Sequence, residues 1–232
     1  MKMARIEKRF VNAAAHSRRV AELAERRLRV VPYSARQKYL DVGCGNGMAA
    51  LHIAAACGLD VTGIDLDPEQ IRVALEAAGS RGKVRFLVGD ATRLPFDDAE
   101  FDMVATNKTT HHIPEWKTAL AEMVRVLRPG GYFIYNDLVV PLWLAALGRS
   151  VAGGLAGFIT RAELDRFINH QGLTVVEGAT RGASYEVVCR RPATMTPESI
   201  SAMTQRAPPR VAITLWGDMS AAQVAPLESR TY

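Results

Sequence analysis

Short apolar runs alternate along the chain with longer stretches in which apolar residues recur every three or four positions. The short runs predict β-strands and the longer stretches predict amphipathic α-helices. Strands joined by helices of this length indicate right-handed crossovers and a mostly parallel sheet. The predicted strands cover residues 39–42, 61–65, 84–88, 101–106 and 132–136, and the predicted helices between them cover residues 48–57, 68–78 and 114–127.

The pattern changes in the last third of the chain. Thr160 and Glu163 have the spacing of a capping box, which predicts a helix that ends near residue 170. Residues 173–177 and 185–190 predict two antiparallel strands that close the sheet. Beyond Arg191 the chain is rich in Pro, Thr and Ser, and we expect only a short helix near residue 196 and a short strand at 211–216.

Composition indicates an ordinary soluble domain. The 232 residues are 48% hydrophobic and 23% charged, which suits one core with additions. The three cysteines form neither a C-x-x-C pair nor an even framework, so we expect a reduced, cytoplasmic environment. The longest apolar run, residues 138–147, is far shorter than the ~20 residues that span a bilayer. No secretory signal is predicted.

Positive charge is concentrated at the N-terminus. The chain carries a net charge of +5, but residues 1–38 contain 11 Lys or Arg and only 3 Asp or Glu. Such an excess can attract RNA, anionic lipid headgroups or a charged substrate, and it is equally typical of a solvated helix face.

A glycine-rich turn follows the first predicted strand. Gly43, Gly45 and Gly47 lie between this strand and the next helix, so a ligand can approach bare backbone at the helix N-terminus. Asp65 ends the second strand, 22 positions after Gly43, close to the ~20 at which a carboxylate reaches ribose hydroxyls in a βαβ unit. The G-x-G-x-G spacing differs from the dinucleotide fingerprint G-x-G-x-x-G, which disfavours a nicotinamide cofactor.

Five further motifs occur in order along the chain: LDVGCGNG at 40–47, GIDLD at 63–67, GDA at 89–91, LPF at 94–96 with FD at 101–102, and LRPGG at 127–131. Together they resemble the ordered motif set of class I S-adenosylmethionine (SAM)-dependent methyltransferases. The resemblance covers residues 38–191, and within the family it is greatest to the ubiquinone and menaquinone C-methyltransferases. It implies an α/β fold with a Rossmann-like, doubly wound, seven-stranded sheet, mostly parallel with an antiparallel closing strand and helices on both faces.

The resemblance also implies roles in binding SAM, with S-adenosylhomocysteine (SAH) as product. Asp41 organises hydrogen bonds near the methionyl ammonium, Asp65 accepts from the ribose hydroxyls and Leu66 packs on the adenine. As an alternative, Asp41 and Asp90 simply cap the helices that follow them. The complete set of implied cofactor-binding residues is Asp41, Gly43, Gly45, Gly47, Asp65, Leu66, Asp90, Ala91 and Asn107.

The acceptor side is predicted just after strand four, at residues 107–112. Ligands gather at the carboxyl edge of such sheets, and an imidazole can remove a proton near neutral pH. His112 is the preferred candidate base and His111 the second; the alternative is that the histidine only supports the loop. Lys108 either pairs with an anionic substrate group or reaches solvent, and solvent is slightly favoured.

The resemblance predicts three regions. Residues 1–37 form an N-terminal helical cap whose helix over 3–30 is interrupted near His16 and Ser17. Residues 38–192 form the SAM-binding domain, in which the low-charge stretch 138–159 is an apolar lid; a core helix and a membrane-surface anchor are the alternatives. Residues 193–232 form a C-terminal extension.

The functional hypothesis is methyl transfer from SAM to oxygen or carbon of a small, partly apolar acceptor. The chain lacks the Asn/Asp-Pro-Pro-aromatic tetrad of nucleobase N-methylation and a nearby cysteine for cytosine methylation, so nucleic acid is disfavoured. An RNA methyltransferase that uses the basic N-terminal arm and a non-catalytic SAM-binding protein remain as alternatives. No metal ligand is predicted, although Asn136 and Asp137 keep a catechol-type site open; peripheral membrane contact is also open, and no oligomeric state is predicted.

Overall fold

A computed structural model describes residues 14–79, 84–141, 145 and 159–193. In this part of the chain a seven-stranded sheet is flanked by five α-helices and one 3₁₀ turn. The helices are α1 (Ala14–Leu28), α2 (Met48–Cys57), α3 (Pro68–Ala78), α4 (Trp116–Val126) and α5 (Arg161–His170), and the 3₁₀ turn is Thr110–His112. The strands are β1 (Lys38–Val42), β2 (Asp60–Asp65), β3 (Val84–Val88), β4 (Phe101–Asn107), β5 (Leu127–Leu138), β6 (Thr174–Arg181) and β7 (Ser184–Arg190).

The strand order is β3-β2-β1-β4-β5-β7-β6. The pairs from β3 to β5 are parallel, and β7 runs antiparallel between β5 and β6. This confirms the predicted, mostly parallel sheet with an antiparallel closing strand. The strand order reverses between β1 and β4, and ligands of doubly wound sheets bind at the carboxyl ends of the strands at such a point.

Two apolar cores cover the two faces of the sheet. Buried residues of α1, α2 and α3 pack on one face, against side chains such as Tyr39 and Met103. Buried residues of α4 and α5 pack on the other face, against Leu40 and Phe133. Neighbouring residues of β1 therefore point into different cores, because successive side chains of a strand point to opposite faces of the sheet and both faces are buried here.

The local signals for helix ends are confirmed. The Asp67 carboxylate accepts from the Glu69 N–H at 3.0 Å, and Pro68 occupies the first turn of α3. Thr160 and Glu163 form the reciprocal capping box of α5. The helix α2 ends at Gly58, which has φ of 66°.

Three predicted boundaries are wrong. The helix α1 continues through His16 and Ser17 without a break. The strand β5 begins at Leu127 rather than residue 132, because Leu127 already pairs with Phe101 of β4 across a register shift. The strand β6 continues to Arg181, since a tight turn at Gly182 (φ of 60°) keeps it paired with β7.

Several predictions fall outside the described residues. They concern the helical stripe before residue 14, most of the proposed lid at 138–159, and the short helix and strand after residue 193. No helix in the described ranges is both long and apolar enough to cross a membrane.

Candidate active site

The glycine turn joins β1 to α2 at the carboxyl edge of the sheet. A Cβ atom on Gly43 would lie 2.2 Å from the Thr109 side chain, so this glycine lets the turn pack against the loop after β4. A Cβ atom on Gly45 would meet only Gln70, at 3.8 Å. Gly45 has φ of 53° and therefore keeps open space beside its backbone, on which a ligand can lie.

Asp65 shapes this turn from the end of β2. Its Oδ2 accepts from the Gly45 N–H at 2.8 Å and its Oδ1 accepts from the Asp67 N–H at 2.9 Å. Burial raises the pKa of Asp65, and these two backbone donors oppose the effect. Each carboxylate oxygen can accept more than one hydrogen bond, so Asp65 can hold the turn and still receive a hydroxyl group.

Asp41 is a nearly buried carboxyl group in β1, on the strand next to Asp65. It is 6% exposed, and no donor among the described residues is within hydrogen-bond distance of its oxygens. Burial, and then the negative charge of Asp65, raise the pKa of Asp41 to about 7. A buried carboxylate without a partner is unfavourable, so this position suits a cation supplied by a ligand.

The other predicted donor-site residues lie at the ends of β2 and β3. Leu66 is 49% exposed directly after Asp65, and its apolar side chain is available for contact. The Gly89 N–H donates to the Asp65 carbonyl at 2.9 Å, which holds the two strand ends together. Asp90 has an Oδ1 that accepts from the N–H and hydroxyl of Thr92. Asp90 therefore stabilises a turn around Ala91, which is half-buried.

A buried aspartate at the end of β5 organises the loop after β4. Asp137 is 0% exposed. Its Oδ2 accepts from the N–H of Thr109 at 3.0 Å and from the N–H and hydroxyl of Thr110, both at 2.6 Å. Its Oδ1 lies 2.6 Å from Nδ1 of His111. Burial alone would raise the pKa of Asp137, but the hydrogen bonds from His111 and Thr110 outweigh burial and lower it.

This contact fixes the tautomer of His111. An ionised carboxylate can only accept, so Nδ1 of His111 donates to Asp137 and Nε2 carries a lone pair. The side chain of His111 is 23% exposed, so Nε2 is accessible to a small molecule. The His112 ring packs on the His111 ring, with centroids 3.9 Å apart. The structure thus gives the buried carboxylate partner to His111, the second of the two candidates.

Polar residues from three strands and α1 meet beside this loop. Oδ1 of Asn107 accepts from Nδ2 of Asn136 at 2.5 Å and from Nη1 of Arg27 at 3.4 Å. The ammonium of Lys108 donates to the Ser184 hydroxyl, and burial lowers the pKa of Lys108 although Asp137 opposes this. Lys108 is therefore half-buried and bonded to Ser184 at the protein surface.

Sequence reasoning missed two functional candidates. The sequence pattern marks Asp137 only as a metal ligand, although its place at the end of β5 puts it at the same sheet edge as His111. Arg27 is one of many N-terminal arginines, and nothing in its helical spacing marks it as a residue that is only 7% exposed. In the described ranges, no group of three His, Cys, Asp or Glu residues is arranged to hold a metal ion.

A family model described as a methyltransferase domain matches residues 40–135. The match runs from β1 into β5 and contains the glycine turn, Asp65 and the His111 loop. Residues 40–135 are therefore a methyltransferase domain.

Two curated relatives of the chain carry methyltransferase names. The chain is 34% identical to "Methyltransferase GfsG" of Streptomyces halstedii, over 72% of this chain and 59% of the relative. It is 33% identical to "27-O-demethylrifamycin SV methyltransferase" of Amycolatopsis mediterranei, over 64% of this chain and 57% of the relative. The chain thus spans a little over half the length of the relatives it matches. The narrower likeness to quinone C-methyltransferases stays a prediction.

The solved structures show the same fold. The chain superposes on the [4+2]-cyclase SpnF with a TM-score of 0.66 and 20% identity, over 75% of this chain and 82% of that one. At this identity the likeness concerns the fold alone. The name of that protein also shows that this fold can carry a reaction other than methyl transfer.

The residues of this site fit SAM, the cofactor of the family. The molecule carries an ammonium, a sulfonium and two ribose hydroxyls, all of which favour carboxylate partners. The site offers the unpaired carboxyl of Asp41, the carboxylate of Asp65 and the open face of Gly45. Leu66 provides an exposed apolar side chain beside them.

Proposed function

We propose that this methyltransferase moves a methyl group from SAM to a hydroxyl oxygen, or an acidic carbon, of a small and partly apolar acceptor. In this proposal His111 is the general base and Asp137 holds it. The observation that carries the proposal is that the buried carboxylate of Asp137 lies 2.6 Å from Nδ1 of His111, whose loop also contacts the glycine turn.

Thr109 supports the idea that the donor site and the base act on one reaction centre. Its N–H donates to Asp137, and its hydroxyl lies 3.4 Å from the Gly43 carbonyl. A side chain at Gly43 would collide with it. The loop that carries the base is therefore packed against the glycine turn, so both can face one reaction centre at the sheet edge.

The chemistry that SAM supplies when bound is an electrophilic methyl group on a sulfonium. Methyl transfer needs alignment, exclusion of water and, for a hydroxyl acceptor, removal of one proton. Nε2 of His111 can take that proton, because Nδ1 is held as a donor to Asp137. The carboxylate then stabilises the imidazolium that forms.

Oxygen is the acceptor atom we favour. The relative from Amycolatopsis is named for transfer at an oxygen, O-27 of its substrate. A hydroxyl also needs a base to take its proton, and Nε2 of His111 carries a lone pair for this. The apolar character of the acceptor is inferred from the low charge of residues 138–159, most of which lie outside the described part of the chain.

The test is a screen for transfer of isotopically labelled methyl groups to phenols, hydroxylated polyketides and quinone precursors, on wild type and two variants. His111→Ala should lower kcat by about 10²–10⁴, the usual contribution of a positioned base. Calorimetry should show unchanged affinity for SAH, because His111 does not contact the donor residues. His112→Ala is the matched control and should keep most of the activity.

Two results would contradict this proposal. Equal loss in His111→Ala and His112→Ala would mean that the loop, rather than one base, is required. Binding of SAH without transfer to any acceptor in the screen would favour the alternative, a SAM-binding protein with no transfer activity or with another reaction. The cyclase with the same fold makes that alternative worth testing.

A further inference from the structure

A groove lies between the C-terminal end of α1 and the strands β6 and β7. It encloses about 270 Å³, and neither His111 nor any of the predicted cofactor-binding residues lines it. Its charged lining residues are Arg26, Arg27, Arg29, Glu177, Arg181 and Glu186. Gly178 and Ala179 of β6 complete one wall.

Positive charge exceeds negative charge in this groove. Four arginines face two glutamates, and Glu186 is already engaged: its carboxylate lies 3.3 Å from Arg26 and 3.3 Å from Arg27. Arg29 and Arg181 are exposed at the rim, and among the described residues neither forms an ion pair with a carboxylate. Two guanidinium groups are thus available to an anion.

The buried guanidinium of Arg27 in this groove lacks hydrogen-bond partners at two of its nitrogens. It is 7% exposed, and Nε and Nη2 make no hydrogen bond, although Nη2 is within ion-pair distance of Glu186. Its third nitrogen reaches Asn107 only at 3.4 Å. A buried guanidinium with two unsatisfied nitrogens is costly, which favours an anion in the groove beside it.

We propose that this groove binds the phosphate group of a small soluble molecule. Guanidinium forks match the oxygens of phosphate, and such charge-assisted hydrogen bonds are the strongest that side chains make. The volume lies just below the 300–1,000 Å³ typical of pockets for larger ligands, so it suits a phosphate-bearing fragment. This site explains part of the N-terminal positive charge and does not depend on methyl transfer.

The experiment measures binding of inorganic pyrophosphate to the full chain by calorimetry at physiological ionic strength. Wild type should bind pyrophosphate saturably at one site. Arg29→Gln and Arg181→Gln should each weaken binding about tenfold or more, as expected for the loss of a charge-assisted contact. Both residues are exposed, so these variants should fold.

Arg166→Gln is the matched control, because Arg166 is an exposed arginine on α5, on the other face of the sheet. It should leave pyrophosphate affinity unchanged. Equal affinity in all variants, or no saturable binding, would overturn the proposal.

Two further measurements distinguish phosphate binding in the groove from SAM binding and from lipid binding. SAH affinity should be unchanged in Arg29→Gln and Arg181→Gln, so a failure of SAH binding would count against the proposed function and not against the groove. An alternative outcome is that the protein binds phosphatidylglycerol vesicles but not pyrophosphate, and loses vesicle binding in Arg181→Gln. That result would overturn the proposal of a soluble ligand and assign the groove to lipid headgroups. Phosphatidylcholine vesicles are the control.

Discussion

Ionised Asp41 favours binding of a cationic ligand but lowers the stability of the ligand-free protein. Burial raises its pKa from 3.8 to about 7, so the folded protein holds this proton more tightly than the unfolded chain does. The stabilising effect of protonation is complete below pH 3.8 and is lost as the pH rises through about 7. Above that pH, folding must bury an unpaired carboxylate.

Asp41→Asn should therefore stabilise the ligand-free protein at pH 8, because an amide occupies the site without charge. We expect a gain of about 1–3 kcal/mol at pH 8 and little difference near pH 4. Thermal unfolding at both pH values measures this. Asp97→Asn, at an exposed position, is the control and should show no such change. A variant less stable than wild type at pH 8 would contradict the assignment.

Asp137 is predicted to be essential for the loop as well as for the base. Its carboxylate accepts the N–H groups of Thr109 and Thr110 and the ring N–H of His111. Asp137→Asn turns one of these acceptors into a donor and leaves buried N–H groups unpaired. We expect a loss of about 2–4 kcal/mol in unfolding free energy, together with loss of turnover.

His111→Ala provides the comparison for that prediction, because it removes the base and keeps the acceptor of the Thr109 and Thr110 N–H groups. Denaturant unfolding should show that Asp137→Asn is clearly less stable than His111→Ala. Equal stability of the two variants would mean that Asp137 acts on His111 alone.

At the scale of elements, the sequence predicts the bounds of a strand or helix correctly where a local pattern alone determines them. The strand β3 and the helix α2 have the predicted bounds, since apolar runs and glycine ends define them. The strand β5 was predicted too short, because its first residues pair across a register shift that no local pattern encodes. Pairing partners distant in sequence decide such boundaries.

The helix α5 allows a direct test of one such local rule. The Thr160 hydroxyl accepts from the Glu163 N–H at 3.2 Å and donates to the Glu163 carboxylate at 2.8 Å. Thr160 is 5% exposed, so water does not replace these bonds easily. Thr160→Ala should lower the unfolding free energy by about 1–2 kcal/mol, measured by thermal or denaturant unfolding. Thr118→Ala, an exposed threonine within α4, should change it far less.

At the scale of the whole molecule, the donor side was more predictable than the acceptor side for a physical reason. Gly45 and Asp65 lie in one βαβ unit, whose motif spacing predicts both as donor-site residues; the structure joins them by a hydrogen bond of 2.8 Å. Asp137 lies in β5 and His111 in the 3₁₀ turn after β4, 26 positions apart, and they meet only once the sheet forms. Their contact depends on the pairing of β4 with β5, which no local sequence pattern predicts.

The charge on Asp41 should also link ligand binding to pH across the whole protein. SAH carries an ammonium, and the site offers it a carboxyl group whose pKa is about 7 in the free protein. A bound cation favours the ionised carboxylate, so binding must displace the proton whenever the pH is below that value. Affinity for SAH should therefore rise between about pH 5.5 and about pH 7.5, and binding should release protons.

Calorimetry in buffers of different ionisation enthalpy counts the released protons. At about pH 6 the wild type should release close to one proton per SAH, and at about pH 8 close to none, since Asp41 is then already ionised. Asp41→Asn should bind SAH more weakly, with an affinity that does not vary over this range. Proton release that persists in Asp41→Asn would place the titrating group elsewhere, and the ammonium would then have to be held by a group other than Asp41.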